Sequence, residues 1–109
     1  MHMNTAMSLA ILAASSCATV RIPPERLVDT KATIQGAEEN GALGVAAAQL
    51  HVQLAKEETE TAKHLAARGD ERAMLVLARA QADAELALGM TRAASVHADA
   101  LRAAEEFAR

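Results

Sequence analysis

Val45 to Arg68 reads VAAAQLHVQLAKEETETAKHLAAR and runs straight into Gly69-Asp70. Within it Val45, Ala48, Val52, Ala55, Thr59, Ala62 and Ala66 recur at steps of three and four. That spacing lays side chains along one stripe of an α-helix and, sustained over successive heptads, against a neighbouring helix. Leu50, Leu54 and Leu65 flank the stripe, while Lys56, Glu57, Glu60 and Lys63 occupy the opposite face, with Lys56 and Glu60 at the i,i+4 spacing of an ion pair. Glycine is the usual residue just past a helix end, and aspartate is a strong N-cap for the next one. The stretch therefore predicts a helix over 45–68, a tight turn, and a second helix returning along the first. Integrin-type recognition of Arg68-Gly69-Asp70 is set aside, because capping accounts for all three residues.

Beyond the turn a helix is expected from Asp70 or Glu71 to Phe107, with no proline to interrupt it. Leu75, Ala82, Gly89, Val96 and Ala103 form one seven-residue ladder, and Leu86, Ala93, Ala100 and Phe107 its companion; together they are the expected contact seam. Arg79 with Asp83, Arg102 with Glu106 and Glu105 with Arg109 are expected to pair locally. Gly89 is a soft point at which this helix could bend. At 1.5 Å per residue the helix is roughly 55 Å long and its predecessor roughly 36 Å, so cover ends near Ala94. The turns carrying Val96, Ala100, Ala103 and Phe107 then project, and an unpaired apolar stripe marks an interface, either with a second copy or with another envelope protein.

On the N-terminal side Pro23-Pro24 favours a helix start, with Glu25 well placed against the helix dipole. A first helix of roughly 23 Å is expected over Pro24 to Glu39, with Leu27, Ile34 and Ala37 or Glu38 along one face and Val28 beside them. Asn40-Gly41 and Gly44 supply the loop that follows. The fold class is all-α: an antiparallel helical hairpin or three-helix bundle over residues 24–109 with a long C-terminal helix. The 109 residues leave room for one small domain. Hydrophobic residues make up 51%, yet there is one Phe and neither Trp nor Tyr, and alanine supplies half of that fraction, so the core is thin.

Ala6 to Cys17, AMSLAILAASSC, has the form of an address. An apolar run of about 7 to 15 residues ending in small residues is the core of a secretory signal, and it falls short of the about 20 needed to span a bilayer. Met1 to Thr5 carries neither Lys nor Arg, which departs from the usual signal. Ala14-Ser15-Ser16-Cys17 resembles a bacterial lipobox, with alanine where leucine is usual. The resemblance implies a signal peptide over 1–16, a lipidated Cys17 and a tether over 17–23. The membrane partner is then reached through Cys17, because several acyl chains anchor firmly where one is marginal. Ala18 is not the aspartate associated with inner-membrane retention, so the outer membrane is the expected destination. Cleavage after Ser16 for soluble secretion and a plain apolar segment of a cytosolic protein are the alternatives.

The rest of the chain excludes more chemistry than it offers. A net charge of -3 and the lack of aromatics leave neither a basic field nor a stacking platform for nucleic acid. His2, His51, His64 and His97 have no i,i+4 pair among them, and a zinc site needs converging ligands, so no metal site is expected. Ser15 and Ser16 have no histidine base at a useful spacing, and the five glycines are too dispersed for a phosphate loop. We expect no catalytic residues, no cofactor and no small-molecule substrate.

Taken with the lipobox, three segments carry a wider resemblance: Ala46 to Ala67, Gly69-Asp70, and Ala82-Asp83-Ala84-Glu85-Leu86-Ala87. They are similar to a family of small alanine-rich bacterial envelope lipoproteins whose helical domain has no assigned function and sometimes precedes an OmpA-like domain. Gly44-Val45 stands where that family often has proline. Peptidoglycan binding is not carried over. The resemblance implies a non-enzymatic structural or adaptor protein at the periplasmic face of the outer membrane; the alternative is a soluble periplasmic ligand- or metal-binding helical protein.

Overall fold

Proline at the first helical position needs no hydrogen bond for its missing N–H, and Pro24 opens the first helix in this way. The computed structural model describes residues 19–109. Among them lie α1, Pro24–Glu39; α2, Ala46–Ala67; and α3, Ala73–Ala108, with a short 3₁₀ turn at Ala42–Gly44. The protein is an all-α helical bundle. Signal-peptide and lipidation readings at 1–16 and Cys17 lie outside the described residues.

The two turns depend on glycine. Gly41 (φ 98°) and Gly69 (φ 70°) sit in the left-handed region, where a Cβ is strained. After α2 the Gly69 N–H donates to the Ala66 carbonyl at 3.0 Å and the Asp70 N–H to the Leu65 carbonyl at 2.9 Å, the paired bonds of a Schellman ending. The Asp70 carboxylate accepts from the Arg72 N–H at 2.9 Å and from its guanidinium. Those hydrogen bonds hold its pKa down at about 2. Asp70 thus caps the turn, and α3 begins at Ala73, slightly later than its N-cap chemistry suggests.

Chain direction follows from the cross-helix contacts. Thr33 of α1 meets Gln81 of α3, and Glu38 of α1 meets Lys56 of α2. With His51 against Asp83, these contacts make α1 parallel to α3 and α2 antiparallel to both. One core cluster gathers Ile34, Ala37, Ala48, Val52, Ala55, Ala84 and Ala87. The other, next to the α2–α3 turn, gathers Ile22, Ala62, Leu65, Ala73 and Leu77, with Val20 and Leu27 packed on it. Ile22 and Val20, which fall in the stretch expected as a tether over 17–23, are therefore part of the bundle; Cys17 and Ala18 of that stretch lie outside the described residues. Thr30, Thr59 and Thr91 are buried on the contact faces, and each hydroxyl donates to the carbonyl four residues earlier, at 2.6–2.9 Å.

The α2 seam is the one its spacing predicts: Ala48, Val52, Ala55, Thr59 and Ala62 are buried. The α3 seam is not. Ala73, Leu77, Ala80, Ala84, Ala87 and Thr91 are buried, whereas the expected ladder from Leu75 through Ala82, Leu86 and Gly89 faces outward. Both sets step by three and four, so periodicity admits either. Alanine allows the backbones to approach closely, and the face chosen is the one with more of it. Burial on α3 ends at Thr91 and a half-buried Ala94, and every residue from Ser95 onward is exposed.

Truncation tests this facing. Leu77 is 2% exposed and Leu75 65%. In dilute solution Leu77→Ala should cost about 2–5 kcal/mol, a large share of the stability of so small a domain. Leu75→Ala should stay within about 0.5 kcal/mol. Urea unfolding of the two variants checks this, and equal losses would contradict the facing.

Candidate functional site

Close approach of α2 and α3 decides what their flanking side chains reach. His51 and Glu58 are seven residues apart and share a face of α2; Arg79 and Asp83 are four apart and share a face of α3. Folding back at Gly69 brings the two faces together. His51 Nδ1 lies 2.7 Å from Asp83 Oδ1, and Arg79 Nη2 lies 3.4 Å from Glu58 Oε1. The side chains of His51, Asp83 and Glu58 are mostly covered, while Arg79 stays exposed.

Two carboxyl groups are thus neighbours on a partly dry seam. Burial raises the pKa of Glu58 above the usual carboxylate value; the adjoining Asp83, through a hydrogen bond and like charge, raises it further, and Arg79 opposes both. Glu58 Oε2 is buried without a hydrogen-bond partner. Protonated Glu58 relieves the repulsion between the two carboxyl groups and leaves Asp83 to bond His51. The quartet is a clasp between helices. None of its members lines the groove between α1 and α2.

That groove, of about 510 Å³, has Ile34 and Thr59 on its wall, with Lys31, Gln35, Glu38, Lys56 and Glu60 around it. Lys56 bridges it to Glu38 instead of pairing with Glu60, which takes Lys63. Arg79 pairs across to Glu58 instead of with Asp83, and Arg102 pairs with Asp99 instead of with Glu106. Cross-helix partners win at the first two positions because close packing shortens the span between helices. At Arg102, Asp99 is one turn away and suffices.

The structure places Val96, Ala100, Ala103 and Phe107 on one exposed face of the projecting part of α3, with Phe107 97% exposed. The same face runs back through Leu86 to Leu75. His64 and His97 are exposed on different helices. Cys17 and His2 lie outside the described residues. Among the described residues no group of three His, Cys, Asp or Glu side chains could hold a metal, and no helix is long and apolar enough to cross a membrane. The quartet was missed at the level of sequence because each member was weighed on its own helix. Reflecting α2 onto α3 about Gly69 sets His51 level with Ala87, one turn from Asp83, and Glu58 level with Ala80, beside Arg79.

No family model matches the chain, and no curated protein or solved structure matches it either.

The raised pKa of Glu58 has a definite sign. The folded state holds this proton more tightly than the unfolded chain does, so the contribution to stability is present below the ordinary value of 4.5 and is lost as pH rises through the elevated one. At neutral pH the charged Glu58 opposes folding. Glu58→Gln keeps the shape of the side chain and removes the charge, so its thermal midpoint should lie above the parent at pH 7, and the gain should vanish below pH 4.5. Scanning calorimetry at both pH values checks this; a variant less stable at pH 7 would mean that the Arg79 pair outweighs burial.

Proposed function

We propose that this chain is a non-enzymatic lipoprotein of the bacterial cell envelope, held by lipid on Cys17 at the periplasmic face of the outer membrane and acting as a structural or adaptor helical bundle. The observation that carries the reading is Ala14-Ser15-Ser16-Cys17 closing the apolar run that starts at Ala6. The likeness to small alanine-rich envelope lipoproteins supports it. Two features of the bundle agree. Val20 and Ile22, which follow Cys17 closely in sequence, are packed against the α2–α3 turn. The bare part of α3 lies at the other end of the bundle, open to a partner.

In this reading the helices carry no chemistry. They hold an exposed apolar face at a fixed distance from the membrane. Expression in a diderm bacterium followed by fractionation tests the anchor. The wild-type chain should partition with the outer membrane and carry an acylated N-terminal cysteine by intact mass. Cys17→Ser should move it to the soluble periplasmic fraction with no change in helicity. An unmodified wild-type N-terminus in the soluble fraction would refute the anchor.

A further inference from the structure

Helix α3 has two apolar faces. One is buried against α1 and α2; the other, running from Leu75 to Phe107, is bare along its whole length. We propose that this outer face binds a second copy of the chain, α3 against α3, antiparallel, with the two-fold axis level with Thr91.

The register follows from side-chain size and charge. In this arrangement Leu75 of one copy meets Phe107 of the other, and Leu86 meets Val96, so large residues cover large ones. Gly89 falls opposite Ala93 and Ala82 opposite Ala100, which lets the two backbones come close. Sliding by one heptad in either direction leaves Leu75 or Phe107 uncovered. Arg79, whose guanidinium also reaches Glu58 of α2, is the one charged residue on this face within the stripe. A parallel in-register pair would set it against itself, and directly opposed like charges are unfavourable. The antiparallel pair sets it against Ala103, one turn from Glu106 of the second copy.

Length agrees as well. The projecting turns from Ser95 to Phe107, exposed on all sides in one copy, would lie along residues 75–87 of the other, the half of α3 that is backed by α1 and α2. Each bundle sits on the far side of its own α3, so the two do not collide. A contact about 48 Å long and about 10 Å wide covers about 1,000 Å² in total, the lower limit for a specific interface.

The inference deepens the adaptor reading by naming the partner, but it does not need the lipid. It is therefore tested in a Cys17→Ser background, where failure of anchoring and failure of pairing are separate results. Leu86→Cys and Val96→Cys chains are oxidised singly and as a mixture, and so are Leu75→Cys and Phe107→Cys chains. A disulfide needs Cα atoms within about 7 Å. Dimer bands in both mixtures, and none in any single variant, are expected. Bands in the single variants would overturn the antiparallel register. No bands from chains that keep their helicity by circular dichroism would overturn self-pairing and leave this face to a different protein. Leu101→Cys, on the opposite side of the same projecting turns, should stay monomeric throughout.

Discussion

The fold depends on alanine at the points where α2 and α3 touch. A methyl group offers little surface, so contact is favourable only if the two backbones come close enough for main-chain atoms to add to the dispersion energy. Alanine also loses no rotamer entropy on burial, which suits a small domain with few large side chains. Ala48, Ala55, Ala62, Ala73, Ala80, Ala84 and Ala87 are all fully buried. Among the described residues Val52, Leu65, Leu77, Ile34 and Ile22 add buried bulk to this core, and half-buried side chains such as Leu27, Leu88 and Met90 close its margins.

The polar features descend from the same closeness. Aspartate has a short side chain, yet Asp83 meets His51 across the seam at 2.7 Å. Glu58 is drawn into the same narrow space, and its proton affinity rises because water cannot follow. The threonines on the contact faces fit for a related reason: each turns its hydroxyl back to its own helix, so none needs a partner across the seam. The molecule thus tolerates polar atoms near its axis without an extended buried network.

Much of the architecture is readable from the chain. Pro24, Gly41 and Gly69 mark the ends of helices by backbone geometry alone, and α1 falls where the capping rules put it. The α2 seam is readable because its outer face is charged, which leaves one apolar side. Neither condition holds for α3. Its alanines supply two apolar faces, and the leucines at 75 and 86 draw the eye to the outer one. Hydrophobicity favours the bulkier stripe, while packing favours the stripe that lets helices approach. The ion pairs of Lys56 and Arg79 depart from their local spacing for a related reason, because that spacing is blind to a neighbour that arrives by folding. Membership of Val20 and Ile22 in the core had no periodic signal, since the segment is too short to have a period.

Because α1 and α3 run parallel and begin at the same end of the bundle, tension has a defined route. A pull applied between the residues ahead of α1 and the far end of α3 would drag these two helices past each other lengthwise. The contacts between them, including Thr33 with Gln81 and Ile34 with the alanines of α3, would then be loaded together in shear. None could be peeled open one at a time. This thin bundle is consequently better built to carry force along its axis than its sparse core suggests.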